Sequence, residues 1–218
     1  MAKTILITGV NRGIGRELAR QAIARGDTVL GTSRAPVADA ICPVTIADVT
    51  DPASLAPLAA GPPIDLLVCN AGQYLARGGL DHPDHTADAW QQVLMTNVAG
   101  VFFSVRAVVD RLRAAPEAKV AVISSVMGSS ARAPGGSVLY RSSKAAASNL
   151  TANLAKEFEA EGIAFGAYHP GWVRTDMGGG HADIDVVQSA RGLHQRFDAL
   201  SIETSGVFES YDGTPIAY

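Results

Sequence analysis

Residues 4–18 read TILITGVNRGIGREL, and this stretch decides the fold. A β-branched apolar run is followed by glycines at positions 9, 13 and 15, after which apolar residues recur with the period of an amphipathic helix. Glycines permit a tight turn and a close backbone approach, and the free N–H groups at a helix N-terminus attract an anion. The stretch therefore predicts a strand, a phosphate-binding loop and a helix. The alternative is a set of turn glycines without a ligand.

The rest of the chain repeats this alternation of short β-branched runs and longer helical segments, which is typical of βαβ units. Strands are predicted at 4–8, 28–32, 42–46, 66–69, 120–124, 164–168 and 207–209. The clearest helices are predicted at 14–25, 87–114 (with a bend at Gly100), 138–161 and 184–199. We expect one α/β domain over residues 1–218, doubly wound, with a seven-stranded, mostly parallel sheet and helices on both faces.

Composition narrows the class of protein. Of the 218 residues, 47% are hydrophobic and 18% charged, which predicts a well-buried core and excludes disorder. Because 18 basic residues face 21 acidic ones without a basic block, neither nucleic acid nor a membrane surface is an expected partner. The longest uncharged stretch, 89–105, is interrupted by polar residues, and no secretory core is present, so a cytoplasmic protein is expected. Cys42 and Cys69 lie apart in apolar contexts, which predicts buried thiols and no metal site.

The end of the second predicted strand bears on the choice of cofactor. In doubly wound folds a carboxylate at this place binds the ribose 2′-hydroxyl of NAD. Residues 31–34 read GTSR, and no acid occurs before Asp39. Arg34, with Ser33 and Arg12, is instead suited to a 2′-phosphate through charge-assisted hydrogen bonds. NADPH/NADP+ is therefore predicted in preference to NADH; the alternative is an ordinary solvated arginine.

Tyr140 and Lys144 stand four positions apart in a helical segment, so they share one helix face. A free tyrosine has a pKa of about 10, and a neighbouring ammonium together with an oxidised nicotinamide would lower it, favouring proton exchange with a carbonyl oxygen. Ser124 and Ser125 lie at the end of the fifth predicted strand, which places a hydroxyl at the sheet edge where ligands bind. The Tyr140 and Lys144 spacing alone is also that of a surface pair, but Ser125 and the glycine loop favour a catalytic interpretation.

Six motifs carry a family resemblance: TGVNRGIG (8–15), CNAG (69–72), TNVAG (96–100), SSVMG (124–128), YRSSK (140–144) and HPGWVRTDM (169–177). In order and spacing they resemble the short-chain dehydrogenase/reductase family, in the branch of C-factor and the sniffer carbonyl reductases. The resemblance implies a Rossmann-like fold. Cys69 replaces the family's first asparagine, and Ser125 and Tyr140 are 15 positions apart, slightly more than is usual in the family.

The resemblance also implies roles for individual residues. The catalytic residues would be Asn97, Ser125, Tyr140 and Lys144. Asn97 would hold a water beside the lysine, unless it is a satisfied helix residue. The cofactor-binding residues would be Gly9, Asn11, Arg12, Gly13, Ile14, Gly15, Arg34, Asp48, Val49, Asn70, Ala71, Gly72, Tyr140, Lys144, Pro170, Gly171, Val173 and Thr175. His169 is expected to be a packed or solvent-facing histidine, and His181 a mobile loop histidine.

The activity implied for this branch is NADPH-dependent reduction of carbonyl compounds, namely aldehydes, ketones or quinones, to alcohols, with Tyr140 as proton donor. An NAD-dependent alcohol dehydrogenase and a dinucleotide-binding signalling or sensor protein are the alternatives. A small apolar carbonyl substrate is expected in an open pocket with a glycine-rich lid hinge at 178–181, and the expected lining residues are Gln73, Tyr74, Met127, Val173 and Met177. The family also implies a homodimer or homotetramer through the helices at 87–114 and 138–161.

Overall fold

The computed structural model describes residues 2–218 and contains a seven-stranded sheet in which every neighbouring pair is parallel. Its strands are β1 (Thr4–Thr8), β2 (Thr28–Ser33), β3 (Val44–Ile46), β4 (Leu66–Cys69), β5 (Lys119–Ile123), β6 (Ala164–His169) and β7 (Val207–Ser210). Their order is β3-β2-β1-β4-β5-β6-β7. The direction of winding reverses between β1 and β4, which opens a crevice at their carboxyl ends. The predicted fold class and strands are confirmed.

The helices are α1 (Gly13–Ala24), α2 (Pro52–Leu55), α3 (Ala87–Leu94), α4 (Gly100–Arg113), α5 (Val138–Glu157) and α6 (Val186–Ala199). The helix predicted over 87–114 is interrupted by a π-helical segment, Met95–Ala99, which ends just before the Gly100 where the sequence predicts a bend. The prediction for α5 extends too far, because the chain tightens into a 3-10 turn at Glu159–Glu161.

Both faces of the sheet are covered, which explains why the strands read as continuous apolar runs. In β1, Leu6 packs in the cluster that includes Val105 and Leu112 of α4. Ile5 and Ile7 point the other way, into the cluster formed with α1 and α6. The alternation fixes the register of β1, so the loop after Thr8 lies at the centre of the sheet edge.

The helical segment Ala87–Arg113 is long and apolar enough to span a membrane, judged by length and composition alone, with a mean hydropathy of 1.5 in its most apolar window. Val101, Val105, Val108 and Leu112 on this segment pack in the protein core. A helix that buries one face against a sheet needs this composition, so the segment is weak evidence for a membrane.

The two cysteines are free thiols. Cys69 is buried in β4, and burial raises the pKa of its thiol to about 12, which makes it unreactive. Cys42 is half-buried. Within residues 2–218 no three His, Cys, Asp or Glu side chains lie together as metal ligands do.

Candidate active site

The carboxyl ends of the central strands open on a cleft of about 680 Å³, a volume typical of ligand pockets. Most of the predicted cofactor-binding residues line it: Gly9, Asn11, Arg12, Gly13, Ile14, Gly15, Arg34, Asp48, Val49, Asn70, Ala71, Gly72, Tyr140, Lys144, Pro170 and Thr175. The cleft runs from Arg34, after β2, to Tyr140 on α5. We call these two regions its cofactor end and its substrate end.

The glycine loop is shaped for close approach of a ligand to the backbone. Gly9 and Gly13 have left-handed φ angles of 77° and 56°. Gly15 has no room for a side chain, because a β-carbon there would collide with the carbonyl oxygen of Gly9 and the amide of Asn70. Asn70 Nδ2 donates to the carbonyl oxygens of Thr8 and Gly9 at 2.9 and 3.0 Å, which ties the loop to β4.

The first turn of α1 is free to receive an anion. No side chain of the described residues caps this helix, and its first turn has no acidic residue. The unsatisfied N–H groups and the positive dipole end therefore face the glycine loop without a competing carboxylate. These features fit the pyrophosphate of a dinucleotide.

At the cofactor end, the acidic groups near Arg34 are engaged elsewhere. Asp39 pairs with Arg16 at 2.7 Å, whereas Arg34 has no ion pair within residues 2–218. Arg12 differs from expectation, because its guanidinium pairs with Asp176 across the cleft. Arg34 is thus the cation at this end that is available to a phosphate.

Tyr140 and Lys144 are both buried on the same face of α5. Burial, and to a lesser degree Tyr74, raises the pKa of Tyr140, while a hydrogen bond with Ser125 acts to lower it. The expected lowering of the Tyr140 pKa by Lys144 is not found. The Lys144 Nζ donates to the carbonyl oxygen of Ile123 at 2.7 Å and lies 5.7 Å from the Tyr140 ring centre. Burial also lowers the pKa of Lys144 to about 8.

Ser125 reaches this pair because β5 and α5 approach closely. A 3-10 turn, Val126–Gly128, follows Ser125, and a β-carbon on Gly128 would lie 2.7 Å from the backbone of Lys144. Ser124, by contrast, is engaged with Ser148 Oγ at 2.7 Å. Ser124 nevertheless lines the cleft, whereas Ser125 does not. The functional role of Ser125 stays a prediction, supported by its hydrogen bond with Tyr140.

Asn97 lies behind the cleft wall in the π-helical segment. Its Oδ1 accepts from the backbone N–H of Gln73 at 2.8 Å, and its Nδ2 donates to the Gln73 carbonyl oxygen and Ser143 Oγ at 2.9 Å each. A β-carbon on Gly72 would touch both Asn97 and the Lys144 amine, so the two side chains lie close to each other. Asn97 is a satisfied helix residue here, and its role in holding a water stays a prediction.

The segment after β6 closes one side of the cleft. Thr175 lines the cleft, and its Oγ1 accepts from the N–H of Gly178 at 3.1 Å. Gly171 and Val173 do not line it, because Val173 is buried in a bridge to Ile184 and Gly171 turns against Tyr211. Val173 is therefore also absent from the substrate pocket in which it was expected.

The two histidines of this segment agree with the sequence interpretation. Burial lowers the pKa of His169 to about 4, so this side chain is a packed, neutral histidine. His181 is exposed in the glycine-rich segment.

Three contacts at the substrate end were not predicted from sequence. Tyr74 stacks on Tyr140, its hydroxyl lies 2.7 Å from Ser137 Oγ, and Arg77 donates to the carbonyl oxygen of Met177. Tyr74 and Met127 were expected to line the pocket, and neither does. Nothing in the sequence marks Arg77 or Ser137, because the three contacts join segments far apart in the chain.

Comparison of the sequence with known proteins identifies a family and several relatives. The family profile described as short chain dehydrogenase matches residues 3–183. C-signal from Myxococcus xanthus is 34% identical over 160 residues, covering 72% of this chain and 93% of the relative. A 1-hydroxy-2-glutathionyl-2-methyl-3-butene dehydrogenase from Rhodococcus sp. (strain AD45) is 33% identical over 227 residues, with 97% of each covered.

Two solved structures superpose over nearly their whole length. NADPH-bound carbonyl reductase from chicken fatty liver has a TM-score of 0.90 at 29% identity, covering 100% of this chain and 99% of that one. Carbonyl reductase Sniffer of D. melanogaster has a TM-score of 0.91 at 26% identity, with 100% of both chains covered.

Proposed function

Since the chain belongs to the short chain dehydrogenase family of oxidoreductases, we propose that it is an NADPH-dependent reductase of aldehydes, ketones or quinones. The observation that carries this proposal is one cleft with Tyr140 and Lys144 at its substrate end and Arg34, which forms no ion pair within residues 2–218, at its cofactor end. Ser125 is hydrogen-bonded to Tyr140. Two similar solved structures, the NADPH-bound carbonyl reductase from chicken fatty liver and a short-chain dehydrogenase/reductase from Burkholderia multivorans with bound NADP, support the choice of cofactor.

The residues present fit a dinucleotide phosphate. The glycine loop and the uncapped start of α1 would hold the pyrophosphate, and Arg34 with Ser33 would hold the 2′-phosphate. Thr175 lines the far part of the cleft, where it would hold the nicotinamide carboxamide. When bound, NADPH supplies the hydride that reaches the carbonyl carbon.

The chain's own residues handle the proton. Ser125 is assigned to hold the carbonyl oxygen and Tyr140 to donate a proton to it, so that carbon gains hydride, oxygen gains the proton and an alcohol forms. Because burial raises the pKa of Tyr140, its phenol is protonated at neutral pH, as reduction requires. The Lys144 ammonium, 5.7 Å from the ring centre, then stabilises the phenolate that remains.

Loss of NADPH absorbance with a panel of aldehydes, ketones and quinones tests this function. Tyr140→Phe keeps the ring and removes the proton donor, so we expect turnover to fall about a thousandfold while NADPH still binds. Retained turnover in this variant would refute the assigned mechanism.

A signalling or sensor function is the second candidate, because one relative bears the name C-signal. A sensor binds the dinucleotide but has no need of a proton donor. Tight NADPH binding by the parent protein without turnover of any carbonyl in the panel would favour it over the reductase.

We also propose that the chain forms a homodimer or homotetramer. Leu94 and Phe102 on the α3 and α4 surface are 36% and 39% exposed, which leaves apolar area for a second copy. A light-scattering mass equal to the monomer would contradict this proposal.

A further inference from the structure

A stack of three side chains leads from the proton donor to the protein surface. The Tyr74 ring lies 4.2 Å from the Tyr140 ring, centre to centre, with 28° between their planes. The guanidinium carbon of Arg77 lies 4.6 Å from the Tyr74 ring centre. Arg77 is therefore two stacking contacts away from the group that protonates the substrate.

Two hydrogen bonds hold this stack in place, and two residues next to it have strained backbone angles. The Tyr74 hydroxyl donates to Ser137 Oγ at 2.7 Å, and Ser137 Oγ in turn donates to the carbonyl oxygen of Arg77 at 2.9 Å. Ala76 and Ser137 are the non-glycine residues in 2–218 with positive φ, at 50° and 47°. Strain of this kind concentrates at functional sites, where the surroundings hold it.

The charge of Arg77 is not neutralised by the described part of the chain. Its exposed guanidinium donates to the Met177 carbonyl oxygen at 2.9 Å through Nη2, which leaves Nε and Nη1 without a protein partner. No carboxylate of residues 2–218 forms an ion pair with it. Asp84, seven positions along the chain from Arg77, faces His82 at 3.6 Å. Asp176, next to Met177, pairs with Arg12.

A second cation without an ion pair in residues 2–218 lies at the start of α5, close in sequence to Ser137. Arg141, next to Tyr140 on α5, donates to the carbonyl oxygens of Gly136 and Met127 and pairs with no carboxylate in residues 2–218. Gly136 precedes Ser137, which is bonded to the Arg77 backbone. Within residues 2–218, the segments around the Tyr74 and Arg77 stack therefore carry two positive charges that are compensated only by backbone oxygens.

We propose that Arg77, which bonds to the cleft residue Met177, is an anion subsite beside the substrate end and that the carbonyl substrate carries a carboxylate that binds there. A guanidinium stacked on an aromatic ring is a preorganised bidentate partner for a carboxylate. The substrate carbonyl would be held at Ser125 and Tyr140, and an aromatic ring of the substrate would lie alongside Tyr74. A carboxylate on the far side of that substrate ring would then reach Arg77. This inference rests on the proposed reductase function and replaces the expected small apolar substrate with an anionic one.

The test compares two aldehydes of the same shape, para-formylbenzoate and its methyl ester, as substrates with NADPH. In the parent protein we expect kcat/KM for the carboxylate to exceed that for the ester about tenfold, mainly through KM. Arg77→Gln should bring this ratio close to one, and Arg77→Lys should retain part of it because charge remains without the planar fork. Arg191→Gln is the matched control, an exposed arginine on α6 without an ion pair in residues 2–218, and it should keep the parent ratio.

If both aldehydes are reduced and the ratio of their kcat/KM values is the same in the parent protein and in Arg77→Gln, the subsite is overturned. The proposed reductase function would remain intact. If neither aldehyde is reduced, the proposed function fails for this class, and calorimetric binding of para-formylbenzoate then judges the subsite. Binding that is lost in Arg77→Gln supports the subsite. Binding that is absent from the parent protein or unchanged in the variant overturns it.

Discussion

The cofactor end of the cleft and its substrate end are held by different kinds of contact. At the cofactor end, strand pairing does the positioning: Gly9 N–H donates to the carbonyl oxygen of Thr32 at 3.0 Å, and Asn70 bonds to the loop from the adjacent strand. At the substrate end, Tyr74 meets Ser137 and Arg77 meets Met177 across 63 and 100 positions of chain, from irregular segments. A family can therefore keep one end constant while the other varies.

The largest effect should be a loss of NADPH affinity when the glycine loop at the cofactor end is disrupted by Gly15→Ala. The added methyl would collide with the Gly9 carbonyl oxygen, so the loop must move away from its ligand position. We expect the Kd for NADPH to rise on the order of a hundredfold, as measured by fluorescence titration. Gly180→Ala, where a β-carbon meets nothing within 4 Å, is the control and should bind like the parent protein. Parent-like binding by Gly15→Ala would mean that the glycine loop does not hold the cofactor.

The difference between the two ends also explains what the sequence could predict. The loop at 8–15 and the end of β2 are local features whose relative position follows from parallel pairing, so their residues could be placed from the sequence. Asn97 and Val173 could not, because their partners, Gln73 and Ile184, are decided by tertiary packing. Arg77 lies in a loop without periodicity, where no pattern connects it to Tyr74 or Met177.

The next largest effect should be a difference in pH dependence between the substrate end and the cofactor end of the cleft. The pKa of Lys144 is about 8, so its ammonium is lost as pH rises through that value, while Tyr140, whose pKa is raised, stays protonated. The reduction rate should therefore be level below pH 8 and fall about tenfold per pH unit above it. The preference for NADPH over NADH, which depends on Arg34, should stay constant over the same range, because arginine keeps its charge. A rate that rises above pH 8 would contradict the role of the ammonium.

Arg34→Ala should weaken the binding of NADPH at the cofactor end and leave the substrate end unchanged. Removing the guanidinium should raise the Kd for NADPH about tenfold, since a charge-assisted contact to the 2′-phosphate is lost. The Kd for NADH, which lacks that phosphate, should not change and serves as the internal control. Both constants can be measured by fluorescence titration. An unchanged preference for NADPH would favour the alternative that Arg34 is an ordinary solvated arginine.

The smallest effect is expected at the Tyr74 ring, measured with the neutral methyl ester of para-formylbenzoate so that Arg77 is not involved. Tyr74→Phe keeps the stack on Tyr140 and loses only the bond to Ser137, so we expect a change within about twofold in kcat. Tyr74→Ala removes the stack and exposes Tyr140, which should lower kcat about fivefold with NADPH affinity unchanged. Equal effects of the two variants would mean that the hydrogen bond, and not the aromatic contact, positions the proton donor. A loss of NADPH affinity in either would show that the ends are coupled through this ring.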